Sequence, residues 1–259
     1  MQGMKRLCLR PARDAVFNSI YGDQRAQLLY EFFKCGADVY VLAGSLRDAV
    51  AAHYEGEGDG IARDFDIAVT HVSRADFDAL LQAFGRRNRH GGYVLHTECA
   101  PDWDLWYLED TIGLRKTGSP CSVENVLRSF NLDCNAIALD AKTGLFLDAG
   151  AIKAIQQKRI GFVEHAIRHS EETFAAKALL LDLRLKYTLA SDLRRFVNAR
   201  LDYSCLEHEM GKLFPGFAGL PMFGTTVAPT EPMQSASLKG LRPALKRGIS
   251  IATYSATIG

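Results

Sequence analysis

The stretch VYVLAGSLRDAVAAHYEGEGDGIARDFDIAVT, residues 39–70, decides how the rest of the chain reads. Residues 39–42 form a β-branched and aromatic run of strand type. Gly44 permits a sharp turn and the close approach of a ligand. Ser45 is suited to cap the helix that follows. In that helix Leu46, Ala49, Val50 and His53 recur at i, i+3, i+4 and i+7, which predicts one core-facing side. The free N–H groups of a helix start point back at the turn before it, so this start is a ready anion site. A glycine-rich loop then leads to a second strand carrying Asp64 and Asp66.

Strand side chains alternate with period two, so Asp64 and Asp66 share one face while Phe65 and Ile67 face a core. Two neighbouring carboxylates repel unless a proton or a cation intervenes. A hard divalent ion with oxygen ligands is the natural remedy, and Mg²⁺ also binds phosphates. An anion site beside a metal site suggests a nucleoside triphosphate with its metal.

These residues carry a resemblance. A Gly-Ser turn, Arg47-Asp48 in the first helical turn, and Asp-x-Asp on a strand resemble the nucleotidyltransferase superfamily of the DNA polymerase beta type. The phrase Arg63-Asp64-Phe65-Asp66-Ile67-Ala68 is similar to the head domain of class II tRNA CCA-adding enzymes and bacterial poly(A) polymerases, whose pattern is GGxxRD followed by DxDIAT. Ala43 stands at the family's first glycine and Ser45 at its second. The resemblance implies an α/β (α+β) fold, a head with a mixed antiparallel sheet flanked by helices, followed by a short helical neck.

Size and composition agree with a globular protein. The chain has 259 residues and a formal charge of +1, so no global nucleic-acid signal is present and any basic surface is local. Its six cysteines show no CxxC spacing and read as reduced thiols of a cytoplasmic protein. The N-terminus lacks an apolar signal region, and no run reaches the roughly 20 apolar residues of a membrane span.

Along the chain, residues 24–34 read as a helix with Leu28, Leu29, Phe32 and Phe33 on one face. Ser73 and Asp76 form a capping box for a helix bearing Phe77, Leu80, Leu81 and Phe84, ended by Gly85. The basic cluster Arg86, Arg87, Arg89 and His90 reads as a solvated helix end favoured by the dipole, with contact to a phosphate backbone as the other reading. Residues 93–97 and 102–108 are strand candidates, and the second carries Asp102 and Asp104 on one face. Two-metal nucleotidyl transfer uses a further carboxylate from a neighbouring strand, and Asp104, deeper in the apolar run, is preferred; ordinary strand-edge acids are the alternative. Residues 123–130 read as a helix, and 135–139 with 145–148 as a hairpin joined by Lys-Thr-Gly.

That hairpin resembles the family segment RRDFTINALAYD at Asn135-Ala136-Ile137-Ala138, Gly144 and Asp148. The family's Arg-Arg-Asp falls on Ser129, Phe130 and Asn131, leaving Asn131 to hydrogen-bond a ribose hydroxyl. Residues 170–187 form a strong helix placed like the family's neck helix, where Phe174 stands at the first arginine and Lys177-Ala178 match the second and its alanine. Lys177 and Arg184 share a face that meets a phosphate or is simply solvated. Ser191 caps a further helix over 192–201. The family's base-selecting EDxxR pattern has no counterpart, and the resemblance covers residues 24–190. The expected organisation is an N-terminal segment (1–23), a head (24–165), a neck (166–203) and a loop-rich tail (204–259) ending in a small basic patch.

The resemblance implies in-line attack of a hydroxyl on the α-phosphorus of a nucleoside triphosphate. Asp64, Asp66 and Asp104 are the catalytic and metal-holding residues, with two Mg²⁺ ions. Gly44, Ser45, Arg47, Asp48, Asn131 and Lys177 are the nucleotide-binding set, in which Asp48 caps or pairs with an arginine. An RNA 3′ end is a candidate acceptor, and no membrane is involved. Two other classes fit the departures: a nucleotide-binding regulatory or toxin-like module with reduced catalysis, and a nucleotidyltransferase that modifies a protein or a small molecule.

Overall fold

The computed structural model describes residues 4–56, 64–88, 90–97, 100–163 and 171–213. The glycine-rich loop with Arg63, Arg89, Cys99 and the tail from residue 214, with its basic patch, lie outside the described residues. The chain divides into two compact units, residues 1–167 and 168–259.

In the first unit eight strands form one sheet: β1 (Lys5–Leu7), β2 (Asp38–Leu42), β3 (Asp64–Thr70), β4 (Arg86–Arg87), β5 (Tyr93–Leu95), β6 (Asp102–Tyr107), β7 (Ile137–Asp140) and β8 (Phe146–Asp148). Their order is β1-β8-β7-β2-β3-β6-β5-β4. All neighbours pair antiparallel except β3 and β6, which run parallel. The sheet is therefore mixed, as the resemblance implies.

Alternation along the strands makes two unlike faces. Val39, Val41, Phe65, Ile67, Trp103, Leu105, Ile137 and Leu139 point to one side and are almost wholly buried. There α2 (Ala26–Lys34) and α4 (Arg74–Gln82) join them through stacked Phe32 and Phe77 rings, 5.8 Å apart, and Phe77 reaches on to Tyr93. α3 (Gly44–Glu55) buries Leu46, Ala49 and Val50 as its periodicity predicts. His53, expected on the same side, is exposed instead, and Arg47 and Ala51 take the buried positions. The core stripe lies to one side of the assumed one because an arginine, rather than an apolar residue, is drawn inward.

The opposite face carries the acids at one end. Its other part, with Leu42, Ala68, Ala138 and Leu147, is covered by α5 (Ile112–Thr117) and α6 (Val123–Arg128) through Leu114, Val123, Val126 and Leu127. Gly113 makes this packing feasible: a Cβ there would lie 2.1 Å from Ser129 Oγ.

Several elements depart from the sequence reading. Residues 5–21, set apart as an N-terminal segment, belong to the first unit. β1 extends the sheet beside β8, and α1 (Arg10–Tyr21) buries Ala12, Val16 and Ile20. Arg86 and Arg87 do not end a helix. α4 stops at Gln82, and the two arginines form an exposed edge strand paired with β5, where charge discourages further pairing. Ser73 caps α4 as predicted: Asp76 N–H donates to Ser73 Oγ at 3.0 Å, and the Ser73 hydroxyl in turn donates to Asp76 Oδ2 at 2.6 Å. A helix α7 (Ala151–Gln156) follows β8.

The second unit contains α8 (Glu171–Leu185), α9 (Ser191–Arg200) and α10 (Tyr203–Leu213). The first two fall within two residues of their predicted ranges, but Ser191 is the first residue of α9 rather than its cap: Ala190 holds that position and offers no side-chain bond. α10 departs from the loop that the sequence texture predicts from residue 204. Leu206 and Met210, one helical turn apart, are buried and hold it as a helix. Among the described residues no helix is long and apolar enough to cross a membrane, and the described cysteines are free thiols. Burial pushes the Cys134 thiol up to about 12.

Candidate active site

The site begins where β2 ends. Ala43 N–H donates to Ile137 O at 3.1 Å, which holds the chain to β7 for one residue beyond β2. The helix starts immediately after, so the whole reversal falls on Ala43, at φ 55° and ψ −115°. This is a left-handed conformation that an L-residue adopts at a cost, of the order of 1–3 kcal/mol. Two expectations are corrected here. The bend sits on Ala43 rather than Gly44, and Ser45 is not the cap but a helical residue, 3% exposed. Among the described residues the Ser45 Oγ has no hydrogen-bond partner.

Arg47 is buried beneath this first turn. Its guanidinium donates to Asp48 Oδ1 at 2.8 Å and to Asn135 Oδ1 at 2.6 Å. It therefore ties the start of α3 to the segment entering β7, and Asp48 pairs with an arginine as one of its two expected roles. In the sequence Asn135 stands out only as part of the Asn-Ala-Ile-Ala match. Its part as the acceptor for Arg47 is legible only in three dimensions, since the two are 88 residues apart.

The carboxylates come from β3 and β6. The parallel register sets Asp66 beside Asp104 and Asp64 beside Asp102. Directly opposed residues of neighbouring strands point to the same face, with strands about 4.8 Å apart. Four acids therefore line one face at one end of the sheet. Asp66 also lies opposite Leu42, so this end is the one where β2 bends into α3.

The two acids of β6 differ in their partners. Asp102 takes a hydrogen bond with exposed His96 Nδ1 at 2.6 Å. Asp104 accepts from Asn88 Nδ2 at 2.9 Å. Burial pushes the Asp104 carboxyl above the ordinary carboxylate range; Asn88 and His90 pull the other way, and the charge of Asp64 adds to the rise. Asp64 is thus close enough to Asp104 to be felt. Among the described residues no three His, Cys, Asp or Glu side chains converge on a single point as a ready metal cage.

Asn131 follows α6, and its Oδ1 is a second buried polar atom without a hydrogen-bond partner among the described residues. Its carbonyl accepts from Val163 N–H at 3.3 Å. Lys177 belongs to the second unit, where its exposed side chain lies 3.8 Å from Glu209 on α10.

No protein-family model matches the sequence, and no curated protein is similar to it. Solved structures are. A CCA-adding enzyme in complex with CTP superposes with a TM-score of 0.55 at 17% identity, over 83% of this chain and 52% of that one. A CCA-adding enzyme complexed with ATP gives 0.54 at 15% identity, over 89% and 58%. The Thermotoga maritima CCA-adding enzyme complexed with tRNA gives 0.55 at 15% identity, over 89% and 58%.

The chain has the fold of the CCA-adding enzymes. It spans between half and three fifths of the length of these three structures. At such identities the likeness is one of fold, and the chemistry has to be argued from this chain's own residues. Within that CCA-adding-enzyme fold the described residues bring Asp64, Asp66, Asp104, Gly44 and Ser45 to one end of one sheet, with Arg47 and Asp48 locked under the bend.

Proposed function

We propose that the chain transfers a nucleoside monophosphate from a nucleoside triphosphate to a hydroxyl acceptor, with Mg²⁺ held by Asp64, Asp66 and Asp104. The observation that carries this reading is the β3–β6 register, which aligns the acids beside the β2–α3 bend. The donor set supports the metal: carboxylate oxygens alone suit a hard cation such as Mg²⁺. Bound there, Mg²⁺ would neutralise phosphate charge and lower the pKa of the acceptor hydroxyl.

The chain's own groups do the rest. The N–H groups at the start of α3 bind the β- and γ-phosphates, and Ser45 Oγ, buried and without a partner among the described residues, donates to a phosphate oxygen. Asn131 Oδ1 accepts from a ribose hydroxyl. Arg47 acts from below, by fixing the turn that presents these groups. Asp104 orients the acceptor hydroxyl for in-line attack on the α-phosphorus. The hydroxyl gives its proton to the Asp104 carboxylate, the new bond joins the acceptor oxygen to that phosphorus, and the bond from the α-phosphorus to the α,β-bridging oxygen breaks, so that pyrophosphate leaves with its electron pair. An RNA 3′ end is the acceptor class we favour, on the strength of the shared fold, and the cytoplasm is the setting.

A second reading has its own support. Phe130, at a position where the resembled family carries arginine, packs against the apolar cluster under α5 and α6. Ser129 fills the space beside Gly113. Neither offers a charge to a nucleotide, which favours a nucleotide-binding module with reduced catalysis. Incubation of the protein with each α-labelled nucleotide, Mg²⁺ and either tRNA or total protein separates the readings. Label in tRNA supports transfer to RNA. Label in protein redirects the proposal to a protein acceptor. Nucleotide bound with label in neither favours the second reading.

A further inference from the structure

Asn88 sits in the turn between β4 and β5, in a geometry that leaves its amide one orientation. Its Oδ1 accepts the backbone N–H of His90 at 2.9 Å and of Gly92 at 3.0 Å, and its own N–H donates to Gly92 O at 2.8 Å. Two N–H donors can be met only by the amide oxygen, so the NH₂ must point the other way. There Nδ2 lies 2.9 Å from Asp104 Oδ1. The turn is seated by Gly92. A Cβ at that residue would come within 2.5 Å of Leu105 O on β6 and 3.2 Å of Asn88 Nδ2. Only glycine lets the hairpin lie flat enough against β6 for Asn88 to reach its carboxylate.

An aspartate side chain has several staggered rotamers, and only some aim at Asp64 and Asp66. A donor that is itself fixed by three backbone hydrogen bonds removes that freedom. We propose that Asn88 is a positioning residue for the carboxylate site: it holds one oxygen of Asp104 and so directs the other toward the ion shared with Asp64 and Asp66. This rests on the assignment of Asp104 as a metal-holding carboxylate made above. The partners behind metal-binding side chains set ligand orientation, and their loss costs about 10- to 100-fold in metal affinity.

The test is a cycle read by Mn²⁺ binding to the full chain in isothermal titration, without nucleotide, for wild type, Asn88→Ala, Asp104→Asn and the double variant. Asn88→Ala is expected to weaken Mn²⁺ binding about 10-fold or more. In the Asp104→Asn background the same change is expected to cost less than about 2-fold, because Asn88 has no carboxylate left to orient. Asn88→Ser retains a hydroxyl that accepts in the turn but is too short to reach Asp104. It should show the same loss, with an unchanged melting temperature as proof that the turn survives. Equal affinity in wild type and Asn88→Ala, or an equal loss in both backgrounds, would overturn the inference while leaving the metal site standing. If Asp104→Asn binds Mn²⁺ as wild type does, or if wild type binds none, the assignment of Asp104 falls and the inference with it.

Discussion

Arg25 and Asp23 form a buried ion pair whose disruption should have a large effect. Their side chains are 6% and 3% exposed. Arg25 donates to both oxygens of Asp23, to Leu95 O and to Pro101 O, the last two at 2.6 Å, and its guanidinium lies 4.7 Å over the Trp103 ring. It thereby pins the turn before α2 to the end of β5 and to the residue that precedes β6, the strand carrying Asp102 and Asp104. Arg25→Met would leave a buried carboxylate without its cation and two carbonyls without a charged donor, at about 3–5 kcal/mol. For a protein of this size that is a fall in melting temperature of about 6–20 °C. Arg25→Met combined with Asp23→Asn removes the stranded charge and should recover part of the loss. The hydrogen bond from Arg25 is the main reason the Asp23 carboxyl is held below its ordinary range. A lowered carboxyl contributes stability above its unfolded-state pKa of about 3.9, which is lost as pH falls through the lower folded value. The gap between wild type and Arg25→Met should therefore narrow in acid. Urea unfolding followed by circular dichroism measures all of this. A cost below about 1 kcal/mol for Arg25→Met, or a double variant no better than the single, would refute the reasoning.

Other outcomes follow from the same structure. Asp64→Asn with Asp66→Asn should abolish label transfer while leaving the far-ultraviolet spectrum unchanged; turnover within about 10-fold of wild type would remove the carboxylates from the chemistry. The Asp104 carboxyl is raised by burial, so the native state holds its proton more tightly than the unfolded chain, and stability from this group falls as pH rises through the raised value. Asp104→Asn should accordingly be more stable than wild type near pH 7, with the advantage gone near pH 3, as read by thermal melting at the two values. Gly113→Ala should destabilise by about 1–3 kcal/mol, because its Cβ meets Ser129, and Ser129→Gly should rescue it. A Gly113→Ala variant that melts with wild type would show that α5 can shift.

What the sequence disclosed and what it hid divide along physical lines. Period-two alternation placed Asp64, Asp66, Asp102 and Asp104 on strand faces, and local capping chemistry placed Ser73, because each depends on residues a few positions apart. The pairing of β3 with β6 did not follow from either strand alone. It required the hairpin of β4 and β5 to be inserted between them in sequence and outside them in space. The bond of Arg47 to Asn135 is hidden for the same reason. A charged residue at a helix start reads as a phosphate ligand until the partner 88 residues away that buries it is known. α1 and β1 were missed because a three-residue edge strand and a helix with three buried residues carry little periodic signal.

Ala43 joins these threads. The bend between β2 and α3 is forced by two commitments made on either side of one residue: the β7 hydrogen bond that holds its N–H, and the helix whose first bond runs from Arg47 N–H to its carbonyl at 2.9 Å. Neither commitment is local strain relief. Both are maintained by the buried Arg47–Asn135 bond and by the apolar cluster that Ala43 itself enters. A strained residue persists only where its surroundings over-determine it. Here what over-determines it also orients Ser45 and aligns the strand ends that bear the carboxylates. The β2–α3 bend and the acidic face are therefore one mechanical unit. Ala43→Val makes this checkable: a β-branched side chain at φ 55° can be accommodated only if the bend opens. Binding of a nucleoside triphosphate and of Mn²⁺ should then fall together. Loss of nucleotide binding with Mn²⁺ affinity intact would show two independent sites that merely adjoin.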